Sequence, residues 1–119
     1  MRDPKKTVKD ISSLSYSDVA ELVKKGRKWD YDKARYDLFP WGLTEKTVDV
    51  MTFGAKKYDP NNWQKVDNGI ERYFAAMMRH IIAWRNGEIN DPESGLPHLA
   101  HANCCMNFIY WLEANNGRT

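Results

Sequence analysis

The segment DPESGLPHLAH, residues 91–101, holds two carboxylates, several turn-forming residues and two of the three histidines in the chain. Pro92, Gly95 and Pro97 cannot all lie inside one helix, so the first half of the segment is predicted to be a turn. Pro97 suits the first turn of a helix, where the backbone N–H that it lacks would have no partner. An apolar pattern then continues to Trp111. The segment therefore predicts a turn that leads directly into a helix.

The histidines of this segment, His98 and His101, stand three residues apart and therefore share one face of the opening helical turn. Asp91 and Glu93 lie just upstream, and His80 on the preceding helix is predicted to approach Asp91 and His98 across the turn. Imidazoles and carboxylates beside the free N–H groups of a helix start can hold a divalent cation, a phosphate or both. A histidine in an apolar helix is also commonly a hydrogen-bonded core residue, and that alternative stays open for His80.

Helical spacing extends outward from this centre in both directions. It predicts helices over residues 70–84 and 43–58, the second with Thr44 or a residue just before it as N-cap. A short first helix is predicted over 15–26, bounded by a serine cap and a glycine, and the final helix over 97–114. The helix over 70–84 has a wide apolar face and is expected to be buried between neighbours. The final helix is expected to bury its apolar residues in some division between its faces; these residues are Leu99, Ala102, Met106, Phe108, Ile109, Tyr110 and Leu112.

The fold class that these patterns predict is all-α, a compact bundle of four or five helices with active groups projecting inward. No segment of strand-like alternation, internal repeat or low-complexity tract is visible in the sequence. The apolar faces and the many Trp and Met residues exceed what one bundle hides, which predicts a homo-oligomer. We expect an N-terminal arm and short helix over residues 1–30 and the functional domain over residues 31–119.

Composition excludes several classes of protein. A length of 119 residues is that of one domain with a single hydrophobic core. The chain has 18 basic and 16 acidic residues and a net charge of +2, so no nucleic-acid polymer is expected as a partner. No apolar run reaches the roughly 20 residues that span a bilayer, and no signal peptide is visible, which predicts a cytoplasmic protein without membrane contact. Cys104 and Cys105 are adjacent on a predicted helix, so a disulfide between them is implausible.

A second pair of carboxylates, Glu45 and Asp49, stands at i and i+4 on the predicted helix over 43–58. Residues at this spacing share a helix face, so the two carboxylates could bind the same metal. The alternative is that both are exposed helix residues beside Lys46 and Lys56.

Cationic and aromatic residues between the two carboxylate groups are candidates for binding a phosphorylated substrate. Lysine and arginine neutralise phosphate charge, and an aromatic ring can stack on a nucleobase. For Trp63 the alternative is packing in the core. The candidate substrate-binding residues are Lys56, Lys57, Tyr58, Asn62, Trp63 and Arg79.

Several short motifs taken together resemble a known family. They are RYDLFP (35–40), TFGAKKY (52–58) with NNW (61–63), the pair Arg79-His80, and Gly87-Glu88 leading into DPESGLPHLAH. Their combination resembles the phage dATP/dGTP diphosphohydrolase N-terminal family, over about residues 33–113.

The resemblance implies an all-α, MazG-like nucleotide pyrophosphohydrolase in the cytoplasm of a phage host. In that group Mg²⁺ or Mn²⁺ held by carboxylates activates water, and the triphosphate yields a monophosphate and pyrophosphate. By position, Glu45 is the acidic residue of the first family helix, and Glu88 and Asp91 have the E-x-x-D spacing of metal ligands. The predicted metal ligands are Glu45, Asp49, His80, Glu88 and Asp91, and the predicted catalytic residues are Glu93, His98 and His101.

Two alternatives to this function remain open at the level of sequence. A transition metal on the histidine cluster would replace Mg²⁺ or Mn²⁺ on carboxylates. Gly42 and Lys46 stand where acids are expected in many relatives, so the same fold could bind a nucleotide or cyclic-nucleotide signal without cleaving it. A further hypothesis is an interaction domain whose histidines only brace the turn.

Overall fold

The computed structural model describes residues 15–116, and within them every regular element is helical. Four α-helices form: α1 (Tyr16–Lys25), α2 (Gly42–Lys57), α3 (Gly69–Arg85) and α4 (His98–Asn115), with short 3₁₀ turns at Tyr36–Leu38 and Asn62–Lys65. The predicted all-α class is therefore confirmed. The N-terminal arm over residues 1–14 lies outside the described residues, and the homo-oligomer stays a prediction.

The chain divides into two compact units between Phe39 and Pro40. In the first unit Ser15 caps α1 as predicted: its Oγ accepts the Asp18 N–H at 3.2 Å, and its own N–H donates to Asp18 Oδ2 at 3.2 Å. This reciprocal pair satisfies two backbone donors that the helix start would otherwise leave free. Gly26, with φ of 78°, follows the last residue of α1, where glycine adopts the left-handed conformation without steric cost.

The second unit is a hairpin of α3 and α4 with α2 packed on α4. Its core is formed by Val50, Ala100 and Cys104, with Leu96 and Phe108 packed against it. Small side chains on α4 let its neighbours approach closely, and Ala100 has no exposed surface. Gly69 at the start of α3 shows the same closeness, because a Cβ there would meet Leu112 Cδ1 at 2.9 Å.

A buried polar contact joins α2 to α4. Thr47 is buried on α2, and its hydroxyl donates to the Leu43 carbonyl at 2.9 Å. The same oxygen accepts the side-chain N–H of Asn103 on α4 at 2.8 Å. Within the described residues no buried side-chain nitrogen or oxygen lacks a partner, so this contact is fully satisfied.

The structure corrects some of the predicted helix ends and much of the predicted burial. α2 begins at Gly42 with Trp41 as N-cap, so Thr44 lies inside the helix, and Pro97 is the N-cap of α4 and not its first residue. On α4, Met106 and Tyr110 are 55% and 75% exposed, and Leu99 is exposed as well. Two neighbouring helices cover only part of a helix surface, so an apolar pattern around all of α4 cannot be buried completely.

The prediction that α3 is buried between neighbours is also wrong. Phe74 and Ile82 on α3 are about half exposed, because the main contact of this helix with the other described elements is the one that α4 makes along one side. None of the described helices combines the length and the apolarity needed to cross a membrane.

Candidate metal centre and adjoining cleft

The loop between α3 and α4 is held closed by its own backbone. The Asp91 N–H donates to the Leu96 carbonyl at 2.8 Å, and the Gly95 N–H donates to the Asp91 carbonyl at 2.7 Å. The His98 N–H donates to the Ile89 carbonyl at 2.9 Å, beside an isolated bridge between residues 90 and 97. Gly95 has φ of 73°, which glycine adopts readily. The loop therefore presents Asp91 and His98 at a fixed separation.

Three side chains from α3, the loop and α4 converge beside this loop. His80 Nδ1 lies 2.8 Å from His98 Nδ1, and one ligand atom from each of His80, Asp91 and His98 lies within 4.8 Å of the others. The His101 ring stacks on His80, with centroids 4.5 Å apart and planes 12° apart. The predicted position of His80, near Asp91 and His98, is therefore confirmed.

Glu88, in the loop just after α3, contacts the cluster from its solvent side. Its Oε1 lies 2.6 Å from His98 Nε2, and the side chain of Glu88 is 54% exposed whereas that of His98 is 5% exposed. The family resemblance implied that Glu88 is a metal ligand together with Asp91, but its carboxylate is not a member of the three-residue group.

Ser94 is a site residue that the sequence did not reveal. Its N–H donates to Asp91 Oδ2 at 2.9 Å, and its Oγ lies 2.7 Å from His101 Nε2. The Leu96 N–H also donates to Ser94 Oγ, at 3.1 Å. An aspartate that opens a turn commonly accepts such backbone N–H groups, so the spacing of Asp91 and Ser94 was the available signal.

Burial and hydrogen bonding set the charges of the cluster. Burial lowers the pKa of His80 to about 4, with His101 and His98 acting in the same direction. Burial also lowers the pKa of His101. For Asp91, burial acts to raise the pKa, but hydrogen bonds from Ser94 and the nearby His101 and His80 outweigh it, so the pKa is lowered. At neutral pH His80 and His101 are therefore uncharged and Asp91 is ionised, as metal ligation requires of such groups.

The chemistry of the three donors decides which metals fit. Two imidazole nitrogens and one carboxylate oxygen suit divalent transition metals such as Mn²⁺, Fe²⁺ or Zn²⁺. Mg²⁺ prefers oxygen ligands throughout and retains several waters. Three protein ligands also leave coordination positions for water or a substrate oxygen. His80, Asp91 and His98 therefore fit a transition metal better than they fit Mg²⁺.

A cleft of about 630 Å³ adjoins this cluster. That volume falls in the range of small-molecule sites, roughly 300–1,000 Å³. His80, Asp91 and His101 line it together with Glu93, whose Oε2 lies 2.8 Å from Lys57 Nζ. The predicted substrate-binding residues that line the same cleft are Lys57, Tyr58, Asn62, Trp63 and Arg79.

Three predicted site residues lie outside both the histidine cluster and the lining of the cleft. Glu45 and Asp49 are exposed on α2, and neither belongs to the metal-capable group or to the cleft lining. Lys56 is exposed near the end of α2 and does not line the cleft, although its neighbour Lys57 does. The roles predicted for these three residues stay predictions.

The two aromatic candidates for base stacking have different surroundings. The Trp63 ring stacks on Phe108, with centroids 4.3 Å apart and planes 7° apart, and meets the Trp111 ring edge-on at 5.0 Å. Tyr58 is more than half exposed, and Lys57 Nζ lies 5.1 Å from its ring centroid. Trp63 is therefore half-buried against Phe108 and Trp111 while it borders the cleft, and Tyr58 is the more accessible ring.

The two cysteines, Cys104 and Cys105, line the cleft as free, buried thiols. Burial raises the pKa of Cys104 to about 12 and that of Cys105 to about 11. Both are therefore protonated at neutral pH.

The chain is similar to known proteins over most of its length. The family described as dATP/dGTP diphosphohydrolase, N-terminal, matches residues 23–119. A protein of Salmonella phage PMBT28 named dATP/dGTP diphosphohydrolase is 38% identical over 90 residues, which are 76% of this chain and 30% of that protein. The chain thus spans less than a third of the length of this relative. No solved structure matches the chain. The match over most of its length shows that the chain belongs to the dATP/dGTP diphosphohydrolase N-terminal family.

Proposed function

We propose that this protein is a metal-dependent pyrophosphohydrolase that cleaves dATP or dGTP to the monophosphate and pyrophosphate. The observation that carries the proposal is the convergence of His80, Asp91 and His98 beside a cleft that basic and aromatic side chains also line. The name of the phage relative supports this choice of substrate. His80, Asp91 and His98 would hold a transition metal such as Mn²⁺ through the two imidazoles and the carboxylate.

The polyphosphate of the substrate binds at the basic side of the cleft. Lys57 at the end of α2 and Arg79 on α3 both line it. Hydrogen bonding to Glu93 raises the pKa of Lys57, so its ammonium group is charged when the substrate arrives. Glu93 orients Lys57 in this assignment, and the nucleobase rests on the exposed ring of Tyr58.

The chemical step is attack of water on the α-phosphorus. A divalent metal, when bound, neutralises phosphate charge and makes a coordinated water more acidic. The new bond joins the water oxygen to the α-phosphorus, and the bond to the bridging oxygen breaks, so that pyrophosphate leaves with the electron pair. His101, uncharged because burial lowers its pKa, accepts the proton of the water.

The test measures product formation by the purified protein. Incubation of dGTP or dATP with Mn²⁺, and separately with Mg²⁺, is expected to release pyrophosphate and the monophosphate without free phosphate. Turnover should be faster with Mn²⁺ and absent in Asp91→Ala. The matched control is Asp49→Ala, which removes an exposed carboxylate away from the cleft and should leave turnover near that of the wild type.

Two outcomes would reject this function. Recovery of intact, tightly bound nucleotide with no turnover under any divalent metal would favour the nucleotide-binding alternative. Absence of both binding and turnover, with no effect of metal on thermal stability, would favour an interaction domain.

A further inference from the structure

We propose that Glu88 is a positioning residue that fixes the proton on His98 Nε2, so that His98 binds the metal through Nδ1, and that Glu88 is not itself a ligand. The inference rests on the metal site of the proposed function. It starts from the short contact between Glu88 Oε1 and His98 Nε2, 2.6 Å.

The position of the proton in this contact follows from the chemistry of the two groups. An ionised carboxylate has no proton to donate, so the hydrogen bond must use an N–H on His98 Nε2. A neutral imidazole carries one proton, and Nδ1 of His98 is then bare. This Nδ1 is the atom that faces His80, 2.8 Å from His80 Nδ1. Glu88 thereby directs the lone pair of His98 into the three-residue group.

The backbone holds both partners in place. The Glu88 N–H donates to the Ala83 carbonyl at 3.0 Å, which ties Glu88 to the last turn of α3. The His98 N–H donates to the Ile89 carbonyl at 2.9 Å, so the residue after Glu88 is tied to the start of α4. The carboxylate and the imidazole therefore meet through a rigid connection between two helices.

The position of Glu88 also separates its role from that of Asp91. Asp91 contributes a ligand atom to the group and lines the cleft, whereas Glu88 does neither. The Glu88 side chain is largely exposed and contacts the buried His98 from the side opposite Nδ1. Carboxylates that hold a ligating histidine in this way raise its basicity and fix its orientation, and their loss typically lowers metal affinity by about 10–100-fold.

The first measurement is the position of the His98 proton in the metal-free protein. Long-range ¹⁵N–¹H NMR at mildly alkaline pH distinguishes the two ring nitrogens, and the spectrum of His98→Asn identifies the His98 signals. We expect the proton on Nε2 in the wild type and in Glu88→Gln, whose amide oxygen can still accept it. Glu88→Ala should give a mixture of both tautomers. A proton on Nδ1 in the wild type, or no change in Glu88→Ala, would overturn the proposal.

The second measurement is Mn²⁺ affinity, from the amount of free Mn²⁺ seen by electron paramagnetic resonance during titration. Glu88→Ala should bind Mn²⁺ about 10–100-fold more weakly than the wild type, and Glu88→Gln should recover most of that loss. Asp91→Ala should not bind it measurably. If Glu88→Gln lost Mn²⁺ as completely as Asp91→Ala, Glu88 would be a ligand and the proposal would be wrong. A wild type that bound no Mn²⁺ would reject the metal site, whereas the NMR measurement would still decide the position of the proton.

Discussion

Two pairs of carboxylates were predicted to bind metal, and the structure gives the two pairs different surroundings. Glu45 and Asp49 share a face of α2 and are exposed, whereas Glu88 and Asp91 lie in the loop between α3 and α4 beside the histidine cluster. Helical spacing brings two carboxylates together but supplies no third partner. The loop brings its carboxylates close to histidines on both α3 and α4. In this protein, carboxylates meet histidines where a loop contacts two helices. The spacing of acidic residues along one helix does not by itself bring them to such partners.

The same contrast holds for packing. α3 and α4 approach each other closely, as shown by the contact between Gly69 and Leu112, while one side of α2 bears exposed apolar residues such as Val48. We therefore expect changes at the α3–α4 hairpin to have larger effects than matched changes on the outward face of α2.

The largest expected difference is between Asp91→Asn and Asp49→Asn. Mn²⁺ at a hundredfold excess over its Kd would stabilise the wild type by about 2.7 kcal/mol. Asp91→Asn should lose this stabilisation entirely and lower turnover strongly, because a proposed metal ligand is removed. Asp49→Asn should keep both. Thermal unfolding with and without Mn²⁺ measures the effect, and equal losses in the two variants would place the metal on α2.

The next effect concerns the core of the hairpin. Leu112 on α4 is buried, and Leu112→Ala should lower the free energy of unfolding by about 3 kcal/mol through lost apolar contact and a residual cavity. Val48→Ala on the exposed face of α2 should change it by less than about 0.5 kcal/mol. Urea unfolding of both variants measures the difference. Similar values would show that the outward face of α2 is covered in solution.

Replacement of two different glycines by alanine should change the stability of the protein in opposite directions. Gly69→Ala would press its Cβ against Leu112 and should destabilise the protein by about 1–3 kcal/mol. A Cβ at Gly54 on α2 meets no atom within 4 Å, so Gly54→Ala should stabilise the protein by about 0.5–1 kcal/mol through its better helix propensity. Denaturant midpoints of the two variants provide the measurement. Destabilisation by Gly54→Ala would contradict the open surroundings of that residue.

The smallest expected effect concerns the polar contact between α2 and α4. Asn103→Ala removes the hydrogen bond to the buried Thr47 hydroxyl and should cost about 0.5–1.5 kcal/mol. Asn107→Ala is the matched control on the same helix, because the Asn107 side chain is exposed and bonds only to a carbonyl of its own helix. Its loss should change stability by less than about 0.5 kcal/mol. Equal costs would mean that the contact with Thr47 contributes no net stability.

Local signals predicted much of the fold. Proline and glycine around residues 91–97 located the loop, and apolar spacing placed α3 within one residue at each end. His80 and His98 flank a short connection between antiparallel helices, so their approach could also be predicted. These features depend on sequence neighbours, and a single sequence contains that information.

Features that depend on tertiary packing could not be predicted in the same way. Apolar residues surround α4, so the sequence could not decide that Ala100 and Cys104 would be buried while Met106 and Tyr110 would be exposed. Ser94 was missed because its partner His101 is brought to it by the fold of the loop. The contact of Glu88 with His98 was missed because E-x-x-D spacing suggested a shared metal instead.

Burial of the Cys104 and Cys105 thiols affects how readily they react with metal ions and oxidants. Thiolates are strong soft ligands for Zn²⁺ and Cu⁺, and a thiol must lose its proton before it binds such an ion. Because burial raises the pKa of both thiols, they are protonated at neutral pH, which disfavours metal binding at their sulfur atoms beside the cleft. Oxidation of these two sulfur atoms, which proceeds through the thiolate, is slowed for the same reason.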